Sequence, residues 1–305
     1  SDMSLWKESV AVLKPHPRER LKFLLGTLLY PRATWMWLRF VRSKKILWDR
    51  LPAAPKLLTR IYRPYAFEPL KCQDRVELLL NHYRTLEVAG WSKLFNESVT
   101  QAIVLAEVPS KSGDLMVLSL LSLGEGHREG EMSLLLQWQG RVIFTVSFLL
   151  ASSDHGFNMI ITRLHGNRDH DGKEVIRQAT KALHGLRPAV LITQLSRHLA
   201  MLLGCEDVLL VGNHQRVALN PKRRKKIKTD LDGLWIELGA VKKQSGFFHL
   251  HPRVHLPSDF SDVASHKRAE AKRKATILSC LLLSMDNTVG AYRDEATTFS
   301  LDSSA

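Results

Sequence analysis

Five β-patterned runs follow one another between residues 101 and 164 with only brief links. They are Gln101 to Val108, Leu115 to Leu123, Met132 to Trp138, Arg141 to Leu149 and Phe157 to Leu164, each rich in Val, Ile, Leu and Phe. Parallel strands need a crossover of a dozen or more residues, so links this short confine the block to an antiparallel meander. Gln139-Gly140 is a two-residue hairpin turn between the third and fourth runs.

The stretch after the meander is equally well punctuated. Residues 173 to 213 read as helix, tight turn, helix and strand. Gly185 suits a left-handed helix end, and Pro188 suits the first turn of the next helix, where its missing N–H is not needed. Ile192, Leu195, Leu199 and Leu202 recur at helical spacing, Gly204 is the stop, and Val208 to Val211 is a short buried-strand run. Earlier, Asp74 reads as a helix cap followed by the apolar stripe Val76, Leu79, Leu80, Tyr83 and Leu86, ending at Gly90. Asp232 to Leu238 reads as a short helix, Phe247 to Leu250 as a strand, and Ser265 to Met285 as a final helix. The fold class expected is therefore α+β: an antiparallel meander with packed helices, preceded by a helical region. The divisions expected are residues 1–98, 99–256 and 257–305.

Charge limits the partners. The 305-residue chain carries 44 Lys and Arg against 30 Asp and Glu, a net charge of +14, which points to anionic lipid, nucleic acid or a phosphorylated group. Between Arg20 and Tyr65 there are eleven basic residues and one acid, Asp49, interleaved with aromatics such as Trp35, Trp37, Trp48 and Tyr65. That mixture suits an anionic membrane surface, where cations meet headgroups and tryptophan lies at the interface. It suits nucleic acid less, although bases stack on aromatics and the Lys222 to Lys228 run holds six bases in seven residues. It also fits aromatics packed inward beneath solvated cations.

No apolar run approaches the length that spans a bilayer. Leu21 to Tyr30 has no cleavage site of the signal-peptide kind behind it, and Ser1-Asp2 reads as residues added ahead of Met3. Cys72, Cys205 and Cys280 are few and far apart, so neither a disulfide framework nor a zinc site is expected, and a reducing cytoplasm is the expected compartment, with the protein peripheral on the inner membrane. His249, His251 and His255 are interrupted by prolines, and no metal site is expected.

Walker A, GxGxxG, GxSxG, HExxH and CxxC patterns are all missing from the sequence. The candidate catalytic groups are Glu129 and Glu131, just before a strand, with His184. Glu131 would serve as a base if the sheet opens there, because partial burial raises a carboxyl pKa. Arg163, His165 and Gly166 end one strand, Gly185 and Arg187 begin a helix, and Asn213 follows the next strand. If these ends converge they form a basic pocket for a phosphate or pyrophosphate.

Glu129-Gly130-Glu131, Leu164-His165-Gly166, Thr180 to Pro188, Leu203-Gly204 and Trp235 to Gly239 resemble the VirK/YbjX family of bacterial proteins over roughly residues 20 to 290. The resemblance implies a role in virulence and the envelope, in surface-protein placement or in resistance to cationic antimicrobial peptides, without supplying a reaction. One departure is that His214 here leads into Gln215-Arg216. The order of elements is also similar to the acyl-CoA-dependent N-acyltransferase (GNAT) fold. That similarity implies an acyl-CoA or acyl-carrier thioester as cofactor, its pyrophosphate at Leu164 to Gly172 or Gly185 to Ala189, and transfer of an acyl or aminoacyl group to an envelope component. The alternatives are a non-catalytic adaptor for anionic lipid or a partner protein and, third, a nucleic-acid binder.

Overall fold

The computed structural model describes residues 1–124, 130–217 and 230–296. The meander is present, with strands β1 (Ile103–Pro109), β2 (Leu115–Ser122), β3 (Met132–Trp138), β4 (Arg141–Ser153) and β5 (Gly156–Gly166). Three further strands, β6 (Asp207–Leu210), β7 (Val241–Lys242) and β8 (Phe248–Leu250), extend it to an eight-stranded sheet in the order β1-β2-β3-β4-β5-β6-β8-β7. The Gln139-Gly140 turn has both residues at positive φ, 52° and 72°, as a two-residue hairpin of this hand requires.

Helices precede the sheet. They are α1 (Asp2–Val12), α2 (Pro17–Leu29), α3 (Pro31–Ser43), two single turns α4 (Lys45–Trp48) and α5 (Lys56–Thr59), α6 (Cys72–Ala89) and α7 (Ser92–Thr100). Prolines set the breaks: Pro17 and Pro31 occupy the first turns of α2 and α3. Helix α6 begins two residues before the expected cap. Asp74 lies inside its first turn, and the carboxylate accepts a hydrogen bond from the Lys71 N–H at 3.0 Å. Gly90 closes α6 in the left-handed region at φ 83°.

Between β5 and β6 the chain forms α8 (Gly172–Ala182) and α9 (Pro188–Leu203). The turn joining them uses two left-handed residues, His184 at φ 58° and Gly185 at φ 89°. Only the glycine was expected there. After β6 come α10 (Leu231–Glu237) and, beyond β8, α11 (Arg268–Thr288).

One continuous core runs from Leu13 through the sheet to Val289. The helical region enters it fully: Phe23, Trp37 and Tyr65 are buried, and Trp35, Phe40 and Trp48 are half-buried. Apart from the exposed Tyr30, the aromatics of the basic region are therefore turned inward, because rings of this size recover more by burial than by facing water.

Strand β4 outruns β3 at one end, leaving its backbone donors there without a strand partner. Helix α6 supplies acceptors from side chains instead. His82 Nδ1 accepts the Leu150 N–H at 2.9 Å, and Asn81 Oδ1 accepts the Ser152 N–H at 2.8 Å. A sheet edge is thus closed by a helix, which satisfies buried N–H groups that would otherwise be costly.

Candidate functional site: the end of the parallel strand pair

Sheet pairing is antiparallel everywhere except between β5 and β6, which run parallel from Asn158–Asp207 to Ile161–Leu210. The Val211 N–H still reaches the Ile161 carbonyl at 3.0 Å, and there the parallel pairing stops. Strand β5 continues to Gly166, paired with β4 alone. At the same level β5 carries an extra residue: Ile161 pairs with Phe148 and Arg163 with Ser147, leaving Thr162 as a bulge. Bulges re-aim side chains, and they concentrate beside active sites.

Beyond the bulge, paired residues share a face of the sheet. Arg163 is in register with Ser147 and Ser133, and His165 with Thr145 and Leu135. Ser133 and Ser147 are hydrogen-bonded across the strands at 3.2 Å. His165 is half-buried and its Nδ1 has no hydrogen-bond partner. Burial pushes its pKa down, so the ring is neutral at pH 7. His165 and Gly166 also border a cavity of about 400 Å³ shared with Gly140, Arg141 and Asn167.

Arg187 and Asn213, also expected to bind an anion, reach the same edge of the sheet and are engaged there. Helix α9 leads into β6, so its first turn lies where the parallel pair ends. Arg187 there is ion-paired with Glu237 of α10. Asn213 is a hub for the start of α10: its N–H donates to Asp232 at 2.7 Å, its amide to Asp230 at 2.9 Å, and its Oδ1 accepts from the Leu231 N–H at 3.0 Å. The basic pocket expected from three converging ends is therefore answered by Asp230, Asp232 and Glu237. Their proximity could not be read from residues that lie 17 to 50 positions away. Gly185 closes the α8 turn beside Glu270 and Lys274, and the His184 N–H caps that turn on the Lys181 carbonyl.

At the start of α8, Arg141 pairs with Asp169 and Asp171 at 2.7 Å each. Its hydrogen bond holds Asp171 down to about 2. The Gly172 position is closed as well, since a Cβ there would lie 2.3 Å from the Asn167 carbonyl. The carboxylates at this helix start thus engage Arg141, the nearby cation an anionic ligand would need.

Glu131 differs most from expectation. Its side chain is fully buried, ion-paired with Arg60, and accepts the Tyr65 hydroxyl at 2.6 Å and the Tyr83 hydroxyl. Burial alone would raise its pKa, but the Arg60 guanidinium and the phenol hydrogen bonds hold it below the ordinary carboxylate value. Glu131 is thus an enclosed anion, ionised at neutral pH, and not a base at an open mouth. Tyr65 and Tyr83 are pushed well up by burial and by the Glu131 charge, so both stay protonated donors. Beside them, burial lowers His82 to about 4, and its ring is neutral with the proton on Nε2. The intervening Gly130 is required: a Cβ would meet the Phe148 carbonyl at 2.8 Å. Glu129 and Lys222 to Lys228 lie outside the described residues.

Sequence reasoning missed Arg60, Tyr65 and Tyr83 as partners of Glu131, since they come from 48 to 71 residues upstream. It also missed a second cavity, of about 570 Å³, between α6 and the β4–β5 hairpin, bordered by Met36, Leu80, Arg84, Val88, Ser152 and Phe157. Among the described residues no three His, Cys, Asp or Glu side chains cluster as a metal would need. His249 is instead hydrogen-bonded to Asp207 at 2.6 Å. Among them, too, no helix is long and apolar enough to cross a membrane.

A family model described as a protein of unknown function, DUF535, matches residues 14–287. The chain belongs to the DUF535 family. The VirK/YbjX resemblance read from the turn and strand motifs agrees with its relatives. YbjX of Escherichia coli K12, described as uncharacterised, is 27% identical over 267 residues, 86% of this chain and 81% of YbjX. An uncharacterised Haemophilus influenzae protein is 26% identical over 277 residues, 87% of this chain and 89% of its own. A cAMP-binding acyltransferase from Mycobacterium smegmatis superimposes with a TM-score of 0.27 at 10% identity, covering 70% of this chain and 62% of that one. A TM-score at that level does not establish a shared fold.

Proposed function

We propose that this DUF535 protein is a GNAT-like transferase that moves an acyl or aminoacyl group from a thioester donor, acyl-CoA or an acyl carrier, to an amine or hydroxyl of an envelope component. The observation that carries the reading is the coincidence of three features: the end of parallel β5–β6 pairing at Ile161–Leu210, the Thr162 bulge, and the polar face beginning at Arg163. A thioester lying along the unpaired side of β5 would place its carbonyl beside the bulge. The order of elements along the chain, a meander followed by helix, strand, short helix and closing strand, supports the reading.

In this reading Arg163 meets the donor's anionic part and His165 accepts a proton. The acceptor N–H or O–H attacks the thioester carbon, the new C–N or C–O bond forms, and the C–S bond breaks. His165, neutral and with a buried Nδ1 that has no hydrogen-bond partner, takes the acceptor's proton once the acceptor reaches it and returns it to the leaving thiolate. Glu131 holds the fold beneath the site.

The test is calorimetric titration of wild type, Arg163→Ala and Arg187→Ala with acetyl-CoA and a long-chain acyl-CoA. Binding by wild type that weakens about tenfold or more in Arg163→Ala, as loss of a charge-assisted contact requires, supports the assignment. Absence of binding to either thioester, or equal binding by Arg163→Ala, removes it.

A further inference from the structure

Most aromatics of the N-terminal region are turned inward, yet one of its helices presents a different apolar surface. Leu21, Leu25, Leu28 and Leu29 of α2 recur at i, i+4, i+7 and i+8 and are 58, 50, 79 and 71% exposed. The opposite face of α2 carries Glu19, Phe23 and Gly26, all buried. The helix is seated tightly: a Cβ on Gly26 would overlap the Tyr62 ring at 2.1 Å, and Thr27 accepts the Trp6 indole N–H at 3.2 Å. Since α2 cannot roll to hide them, the leucines are held outward. A contiguous exposed leucine stripe of this kind marks a surface that is covered in use.

The charges around the stripe choose what covers it. Arg18 precedes Leu21 by three residues on the same helical face, Arg20 flanks it, and Arg32 follows just past its C-terminal end; all three are exposed. Among the described residues none of the three makes an ion pair. From Lys14 to Arg32 the one acid is Glu19, which is turned inward and held by Lys22 at 3.0 Å and by the Thr59 hydroxyl. Within residues 14–32 the surface is therefore leucine bordered by cations, with no exposed anion. A second copy of the chain would bury the leucines, but a two-fold contact along α2 would bring Arg18 of one copy toward Arg32 of the other, like against like.

We infer that α2 is a membrane-docking helix that lies in the plane of an anionic leaflet, with Leu21, Leu25, Leu28 and Leu29 in the acyl boundary and Arg18, Arg20 and Arg32 on lipid phosphates. The chemistry is that of interfacial amphipathic helices, where apolar burial and attraction to anionic headgroups act together. The inference is independent of the acyl-transfer reading, and its test needs no thioester.

The experiment is vesicle co-sedimentation of the full chain with phosphatidylcholine alone and with phosphatidylcholine in which about one lipid in four is phosphatidylglycerol. Expected are binding to the phosphatidylglycerol vesicles that falls as salt is raised, and a loss of partitioning of about tenfold or more in Leu25→Ser/Leu28→Ser, which withdraws two exposed leucines. Arg18→Gln/Arg32→Gln should lower the preference for the anionic vesicles while keeping the leucine dependence. All these positions are exposed, and unchanged circular-dichroism melts confirm that each variant is folded. Wild type that ignores both vesicles, or a leucine variant that binds as wild type does, overturns the inference. So does a dimer seen by light scattering that Leu25→Ser/Leu28→Ser dissociates, because the stripe is then a contact between copies.

Discussion

Replacing Arg60 by Met tests whether Glu131 anchors the helical region to the sheet. Arg60 and Glu131 are both enclosed, with side chains 2% and 0% exposed, and they meet through two nitrogen–oxygen contacts of 2.5 and 3.1 Å. Exposed ion pairs contribute about 0–1 kcal/mol. Removing one partner of an enclosed pair leaves an uncompensated charge and costs about 3–5 kcal/mol. At roughly 2–3 °C per kcal/mol for a chain of this size, that is a fall of about 6–15 °C in thermal midpoint, measurable by calorimetry at pH 7. The sign with pH also follows. Glu131 is depressed in the folded state, so its ionised form contributes stability above the ordinary carboxyl pKa of 4.5 and loses that contribution as pH falls. In Arg60→Met the same carboxyl is stranded and protonates readily, so the gap between wild type and variant should narrow as the pH is lowered below about 4.5. Arg60→Met/Glu131→Leu should recover most of the loss, because the buried charge is then removed as well. A gap below about 1 kcal/mol at pH 7, or one that does not change with pH, refutes the anchoring role.

Tyr65→Phe removes one hydroxyl donor from a buried carboxylate and should cost about 1.5–3 kcal/mol in urea unfolding. Gly130→Ala drives a Cβ to 2.8 Å from the Phe148 carbonyl and should destabilise by about 1–3 kcal/mol, read by the same melts. In native protein Cys280, which is exposed, should react fast with a thiol reagent, whereas Cys72 and Cys205 should react only on unfolding. Burial raises both buried thiols, Cys205 to about 12. If transfer activity is found, His165→Gln should abolish an ionisation that in wild type falls below the usual histidine pKa of 6.5.

The local architecture was legible because its signals are short-range. Met132 to Trp138 is a strand over the residues read from its pattern, and Gly90, Gly185, Gly204 and Gly239 all take the left-handed conformation expected where helices end. The family was legible for the same reason: its motifs are the turns themselves. The site was not. Glu131 reads as a carboxylate at a strand entrance until Arg60, Tyr65 and Tyr83 arrive from a distant helical segment and reverse the direction of its pKa shift. Arg187 and Asn213 read as open anion ligands until α10 brings up Glu237, Asp230 and Asp232.

The leucines of α2 make the same division visible from the other side. Read along the chain, Leu21 to Tyr30 is an apolar run without a cleavage site behind it, and Trp35, Trp37 and Tyr65 suit a membrane surface as well as a packed core. Only the tertiary structure decides which of two apolar faces turns inward. The face turned inward is the one with Phe23 and Gly26, which packs within the helical region itself against Tyr62, because Gly26 alone lets the helix close on that ring. Strand pattern and turn chemistry depend on neighbours in sequence and net charge on composition, so the sequence determined the elements, their order and the sign of the net charge. Burial, ion pairing and the end of the β5–β6 pairing depend on which distant residues come within a few ångströms, and these the folded chain alone decided.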